Sequence, residues 1–196
     1  VVASIFSLGV LGGMDAYESL QETFVKNETL RWQAADALLK CVGALDCEKK
    51  LLVSNHILQH NPPPSFMYNA MRLKLGCFPP AEQPVILLRE FSQASIAHKE
   101  VMIPLIRQLP SGVKTDDFIQ LITVIEKNLR RQMVLALADR MEPSVRPVLI
   151  RMLNSSDESE ILTGLIGLRH LGTANEVASL VQLAASSIES ISHASR

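Results

Sequence analysis

Residues 16–43 read AYESLQETFVKNETLRWQAADALLKCVG, and their pattern decides the fold class. Leu20, Phe24 and Val25 recur at helical spacing with polar residues between, which predicts a short amphipathic helix. Asn27 interrupts that pattern, and an asparagine there can accept a backbone N–H at the start of the next helix. The second helix carries Leu30, Ala34, Ala37, Leu38 and Val42, with Ala34 and Ala35 small enough to admit a close neighbour. Gly43 is placed to end it, as a residue that tolerates positive φ. Two helices this short cannot bury their own apolar stripe, so the hairpin needs further copies stacked against it.

The same pattern continues in both directions. Upstream, VVASIFSLGVL (residues 1–11) carries no charge and is too short to span a bilayer. It reads as a buried first helix, with the remnant of a signal peptide or membrane anchor as the alternative. Downstream, Asp46 opens a helix with Leu51, Leu52, Ile57 and Leu58 inward, ending before Pro62-Pro63-Pro64. The last of these prolines suits a first helical turn. Helices follow over 65–75, 81–94 (Val85, Leu88 and Phe91 inward) and 96–109, where Pro104 is expected to kink the axis. The remaining helices are 116–126 with Ile119, Ile122 and Val124 or Ile125 inward, then 129–141, 145–153, 158–171 and 175–185. Residues 186–196 are a Ser-rich tail.

Composition agrees. The chain is 47% hydrophobic but 5% aromatic, so Leu, Ile, Val, Ala and Met must build the core, and no alternating β-branched run marks a strand. A net charge of −1 gives no global field towards nucleic acid or acidic membranes. Cys41, Cys47 and Cys77 are too few for a disulfide scaffold, and their odd number leans towards a reducing, cytoplasmic setting. An N-terminal signal or anchor would move the protein to the periplasm or another extracytoplasmic compartment.

Eleven or twelve short helices with brief links resemble a helix-pair repeat array. The stretch Leu30-Arg31-Trp32-Gln33-Ala34-Ala35-Asp36-Ala37-Leu38 resembles the second helix of a HEAT repeat. Residues 154–172, ending Leu168-Arg169-His170-Leu171-Gly172, resemble the same segment, although Glu160 stands where an arginine belongs. Leu129-Arg130 before Met133 and Val134 is a weaker third match. The resemblance implies an all-α, right-handed solenoid of five to six HEAT-like (armadillo-like) pairs, a single domain over residues 1–185. It also implies a non-enzymatic scaffold or adaptor that holds a partner helix or extended peptide on its concave face. Position in the repeats nominates Arg31, Trp32, Arg130, Arg131 and His170 as partner-binding residues.

Other chemistries find little support. His56 and His60 share a helix face and could bind a metal with Cys41 and Cys47, but solvated histidines are the simpler reading. Cys41 and Cys47 flank a short link and could pair, although separate thiols are the simpler reading there too. No nucleophile elbow, P-loop or dinucleotide fingerprint appears, so no enzyme activity, cofactor or metal is expected. The region from Arg130 to Arg151, with Lys127, Arg131, Arg140 and Arg146, is the most basic and carries the alternative of nucleic-acid binding. An apolar first helix also calls for a covering segment, a longer array, a homo-oligomer or a larger complex, with membrane contact the other option.

Overall fold

Two adjacent residues with positive φ, Gly12 (66°) and Gly13 (89°), separate the first helix, α1 (Val2–Leu11), from α2 (Met14–Lys26). Glycine is needed at both, because a side chain there would be strained. The computed structural model describes residues 1–184, apart from the side chains of Ala44, His170, Ser179 and Ala184; the Ser-rich tail lies outside the described residues. Those residues form twelve α-helices and no strand. None of these helices is long and apolar enough to cross a membrane. The chain divides into two compact units, Val1–Leu105 and a second beginning at Ile106.

The first unit continues with α3 (Arg31–Cys41), a 3₁₀ turn (Val42–Ala44), α4 (Cys47–Gln59), α5 (Pro64–Leu75), α6 (Gln83–Gln93) and most of α7 (Ile96–Gln108). α2 pairs with α3 and α4 with α5, while α1, α3 and α5 also meet one another in succession. The small residues of α3 make this close packing feasible. A Cβ built on Gly9 of α1 would fall 2.7 Å from Ala37 Cα, so backbone meets backbone there. Leu20, Phe24, Leu38, Val53 and Ile57 fill the core between the rows. Pro64 opens α5 at its first turn, Asp46 caps α4 by accepting from Lys49 N–H (3.0 Å), and Asn27 Oδ1 accepts from Leu30 N–H (3.1 Å).

The second unit contains α8 (Asp116–Leu121), α9 (Lys127–Asp139), α10 (Arg146–Leu153), α11 (Glu158–Leu171) and α12 (Val177–Ala184). α11 packs on both α10 and α9. Gly164 and Gly167, one turn apart, bring α11 against α10; a Cβ on Gly164 would lie 2.9 Å from Leu149 O. α9 ends in a Schellman arrangement, in which Met141 N–H donates to Ala138 O (2.8 Å) and Glu142 N–H to Leu137 O (3.2 Å). Met141 therefore holds a left-handed conformation, φ 60°, that usually belongs to glycine.

Several inward positions differ from the sequence expectation. Val25 is 51% exposed, Leu52 is exposed while Val53 and Ser54 are buried, and Val85 gives way to Ile86 and Leu87. Of the alternatives Val124 and Ile125 it is Ile125 that is buried, as one of the two was expected to be, but the helix expected over 116–126 stops at Leu121 and continues as turn. Gly43 does not adopt positive φ; it sits inside the 3₁₀ turn that ends α3. α1 is buried only along Ile5 and Gly9, whereas Val2, Phe6, Val10 and Leu11 are exposed, so the fully buried first helix is not what forms. At Val85 and Ile86, and at Val124 and Ile125, two neighbouring apolar residues straddle the edge of the buried face, and only the packed neighbour decides which turns in.

Candidate interaction groove

On α3, Trp32, Asp36 and Lys40 are spaced four apart and share one exposed stripe. On α5, Phe66, Asn69 and Leu73 form a matching stripe. The two stripes meet at their first turns, where the Trp32 and Phe66 rings lie 5.4 Å apart, and Trp32 also contacts Phe24 edge-on at 6.3 Å. α1 adds Val2, Ile5 and Phe6 beside them, enclosing an apolar cleft of about 360 Å³. Phe6 remains 58% exposed there.

A second cleft of about 420 Å³ lies further along the same helices and shares Asp36 with the first. Its lining is charged: Lys40, Lys50 and Arg72 against the single carboxylate of Asp36, with Leu39 and Leu73 between. Asp36 accepts from Lys40 Nζ at 2.6 Å, and that ammonium also sits 5.0 Å from the Phe6 ring centre. The Asp36–Lys40 pair thus divides an aromatic end from a basic end.

Of the nominated residues, Arg31 and Trp32 lie on α3 in the first unit. Arg31 turns away from the groove: its Nε donates to Phe24 O (3.3 Å) and its guanidinium faces Glu28 (3.7 Å). It fastens the α2–α3 turn, whereas Trp32 lines the cleft. Arg130 and Arg131 lie on α9 in the second unit, and His170 lies on α11 with its side chain outside the described residues. Arg130 reaches Ile125 O (3.4 Å) and Glu160 (3.8 Å), and Arg131 donates to Asn128 Oδ1. Sequence reading missed Phe6, Phe66, Lys50 and Arg72. A signal for Phe66 existed, since it is an aromatic in the first turn of α5 as Trp32 is in the first turn of α3.

The basic region from Lys127 to Arg151 is largely engaged within the second unit. Lys127 pairs with Asp157, Arg130 with Glu160 and Arg146 with Glu176, each pair 30 residues apart. Arg140 holds the carbonyls of Leu109 and Pro110 as well as Glu142. The Lys127 ammonium, the Ser159 hydroxyl and the Glu160 N–H together hold the Asp157 carboxyl well below the usual carboxylate range. Glu176 is lowered by the Thr173 N–H, the Thr173 hydroxyl and Arg146.

His56 Nδ1 sits 3.0 Å from the Gln21 amide nitrogen, and His60 Nδ1 bonds His56 O (2.8 Å) while its ring meets Phe24. No group of three or more His, Cys, Asp or Glu able to hold a metal occurs among the described residues. All three cysteines are free. The neighbour of Cys47 is Cys77 rather than Cys41: Cys77 Sγ lies 3.7 Å from Cys47 O, whereas Cys41 is buried and points its thiol at Gly13 O (3.6 Å). Burial, then the adjoining Cys47 thiol, pushes Cys77 up to about 11. Comparison of the chain with protein-family models, curated proteins and solved structures gives no significant match.

Proposed function

We propose that this chain is a HEAT-like helix-pair solenoid acting as a non-enzymatic protein-interaction scaffold, and that it binds a helix or extended peptide along the surface of α1, α3 and α5. The observation that carries the reading is the groove itself, where Trp32, Phe66 and a mostly exposed Phe6 stand open beside a charged cleft. Aromatic anchors of this kind are where protein interfaces concentrate their energy. The succession of α1, α3 and α5 supports the repeat reading, as does the step of roughly 30 residues between Val2, Arg31 and Pro64 where these helices begin. That step is shorter than the roughly 40–47 residues of many HEAT repeats, so the proposal is of a compact variant of the pattern.

The test is affinity capture from native lysate, with and without nuclease, using the wild-type chain and Phe6→Asp. A stoichiometric protein held by the wild type and released by Phe6→Asp is the expected result. Recovery of nucleic acid alone, lost in moderate salt and with Arg131→Glu and Arg151→Glu, would replace this reading by the nucleic-acid one.

A further inference from the structure

We infer that the groove selects an acidic amphipathic segment of a partner protein, one that sets a large apolar side chain against Phe6, Trp32 and Phe66 and carboxylates against Lys50 and Arg72. This rests on the reading that the α1–α3–α5 surface binds protein, and it goes further by naming the chemistry of the ligand.

Charge bookkeeping within the first unit leads there. Lys26, Arg31, Lys40, Lys49, Lys74 and Arg89 each face a carboxylate, and Lys99 lies over the Phe91 ring. Among the described residues of that unit, Lys50 and Arg72 are the two Lys or Arg side chains paired with neither a carboxylate nor a ring, and both line the same cleft. Asp36 does not supply their counter-charge, because Lys40 already holds it at 2.6 Å. The cleft therefore carries two uncompensated positive charges, one of them half-buried at Lys50. A basic partner would meet repulsion there and a neutral one would leave the charges without counter-ions.

Spacing sets the shape of the ligand. Phe66 and Arg72 are six residues apart on α5, about 9 Å along a helix axis. The complementary segment places its carboxylates at about that distance from the apolar anchor, roughly six residues along a helix. An anchor and an acidic end at that distance can engage both clefts at once, across the Asp36–Lys40 pair.

The experiment uses the full chain as bait for a displayed library of 12-residue peptides, counter-selected on Phe6→Asp. Enriched sequences are synthesised without tryptophan and titrated by fluorescence, since Trp32 is the only tryptophan and reports from inside the groove. The expected outcome is enrichment of Phe or Leu followed by Asp or Glu about six residues on. Lys50→Glu/Arg72→Glu should then weaken binding roughly tenfold or more, and a peptide with Lys at the acidic positions should bind that variant better than the wild type. Peptides that are lost on Phe6→Asp but are indifferent to charge, or basic, overturn the acidic inference and leave the scaffold reading standing. Absence of any peptide that distinguishes wild type from Phe6→Asp overturns both.

Discussion

The contact between α3 and α5 in the first unit and that between α9 and α11 in the second share an arrangement but differ in chemistry. Both join successive odd-numbered helices near their first turns. In the first unit the joint is aromatic, Trp32 against Phe66. In the second it is ionic, Lys127 with Asp157 and Arg130 with Glu160. The ionic joint satisfies its own charges and leaves little for a ligand to gain. The aromatic joint is half-open, so its rings can still lose water to a partner. Equivalent positions thus serve cohesion in one unit and leave a candidate recognition surface in the other.

The largest test of the shared geometry is Gly164→Val. The new side chain must displace the backbone at Leu149 and Leu153, and denaturant unfolding should register a loss of about 3 kcal/mol. Gly9→Val meets Ala37 in the same way and should push α1 away from α3. The expected sign there is a red shift of Trp32 emission as α1 uncovers the cleft. An unshifted spectrum would mean that α1 does not shield the groove.

A second test asks where charge matters in the aromatic unit. Lys74, 9% exposed, pairs with Glu90 at 3.0 Å. Glu90→Leu strands that buried ammonium and should cost about 2 kcal/mol by equilibrium unfolding. Lys74→Met should cost less, because Glu90 keeps Arg89 at 3.2 Å. Equal losses would show that the pair, rather than its burial, governs the cost.

Left-handed positions come next. Glycines fill them at Gly12, Gly13 and Gly112, and Asn61 fills one in the first unit, but Met141 fills the one closing α9. Met141→Gly should raise thermal stability by about 1 kcal/mol by relieving this conformation. No gain would place compensating contacts around the Met141 side chain.

The smallest effect expected is from acid. The Asp157 carboxyl is lowered in the folded state, so its stabilising contribution is present above the ordinary aspartate value of 3.8 and is lost as pH falls below it towards the folded value. Amide protection relative to the intrinsic exchange rate in the first turn of α11 should therefore fall below about pH 4, while protection around Trp32 and Phe66 stays unchanged. A matching fall at both joints would remove the distinction between them.

Helix positions were legible because apolar spacing, prolines and capping residues act locally. Asp46 and Pro64 each did what their chemistry foretold, whereas Asn27 accepts from Leu30 N–H in the turn ahead of α3 and does not cap it. The inward choice between Val25 and Phe24, Val85 and Ile86, or Val124 and Ile125 was less legible, since either fits a helical stripe. Half of the candidate groove could be read: Trp32 stood out as the lone tryptophan, whereas Lys50 and Arg72 are unremarkable in sequence. Their significance comes from the pairing of the cations around them, which depends on contacts far apart in the chain.

The sequence by itself determined the helical character of the described residues and the small-residue face of α3, because helix propensity, capping and side-chain volume belong to single residues and their near neighbours. Only the tertiary structure decided that α1, α3 and α5 meet in succession, that Arg31 braces a turn while Trp32 faces a cleft, and which charges remain uncompensated. Those outcomes depend on which distant helix arrives alongside, and close packing and charge pairing are set by that arrival rather than by local preference.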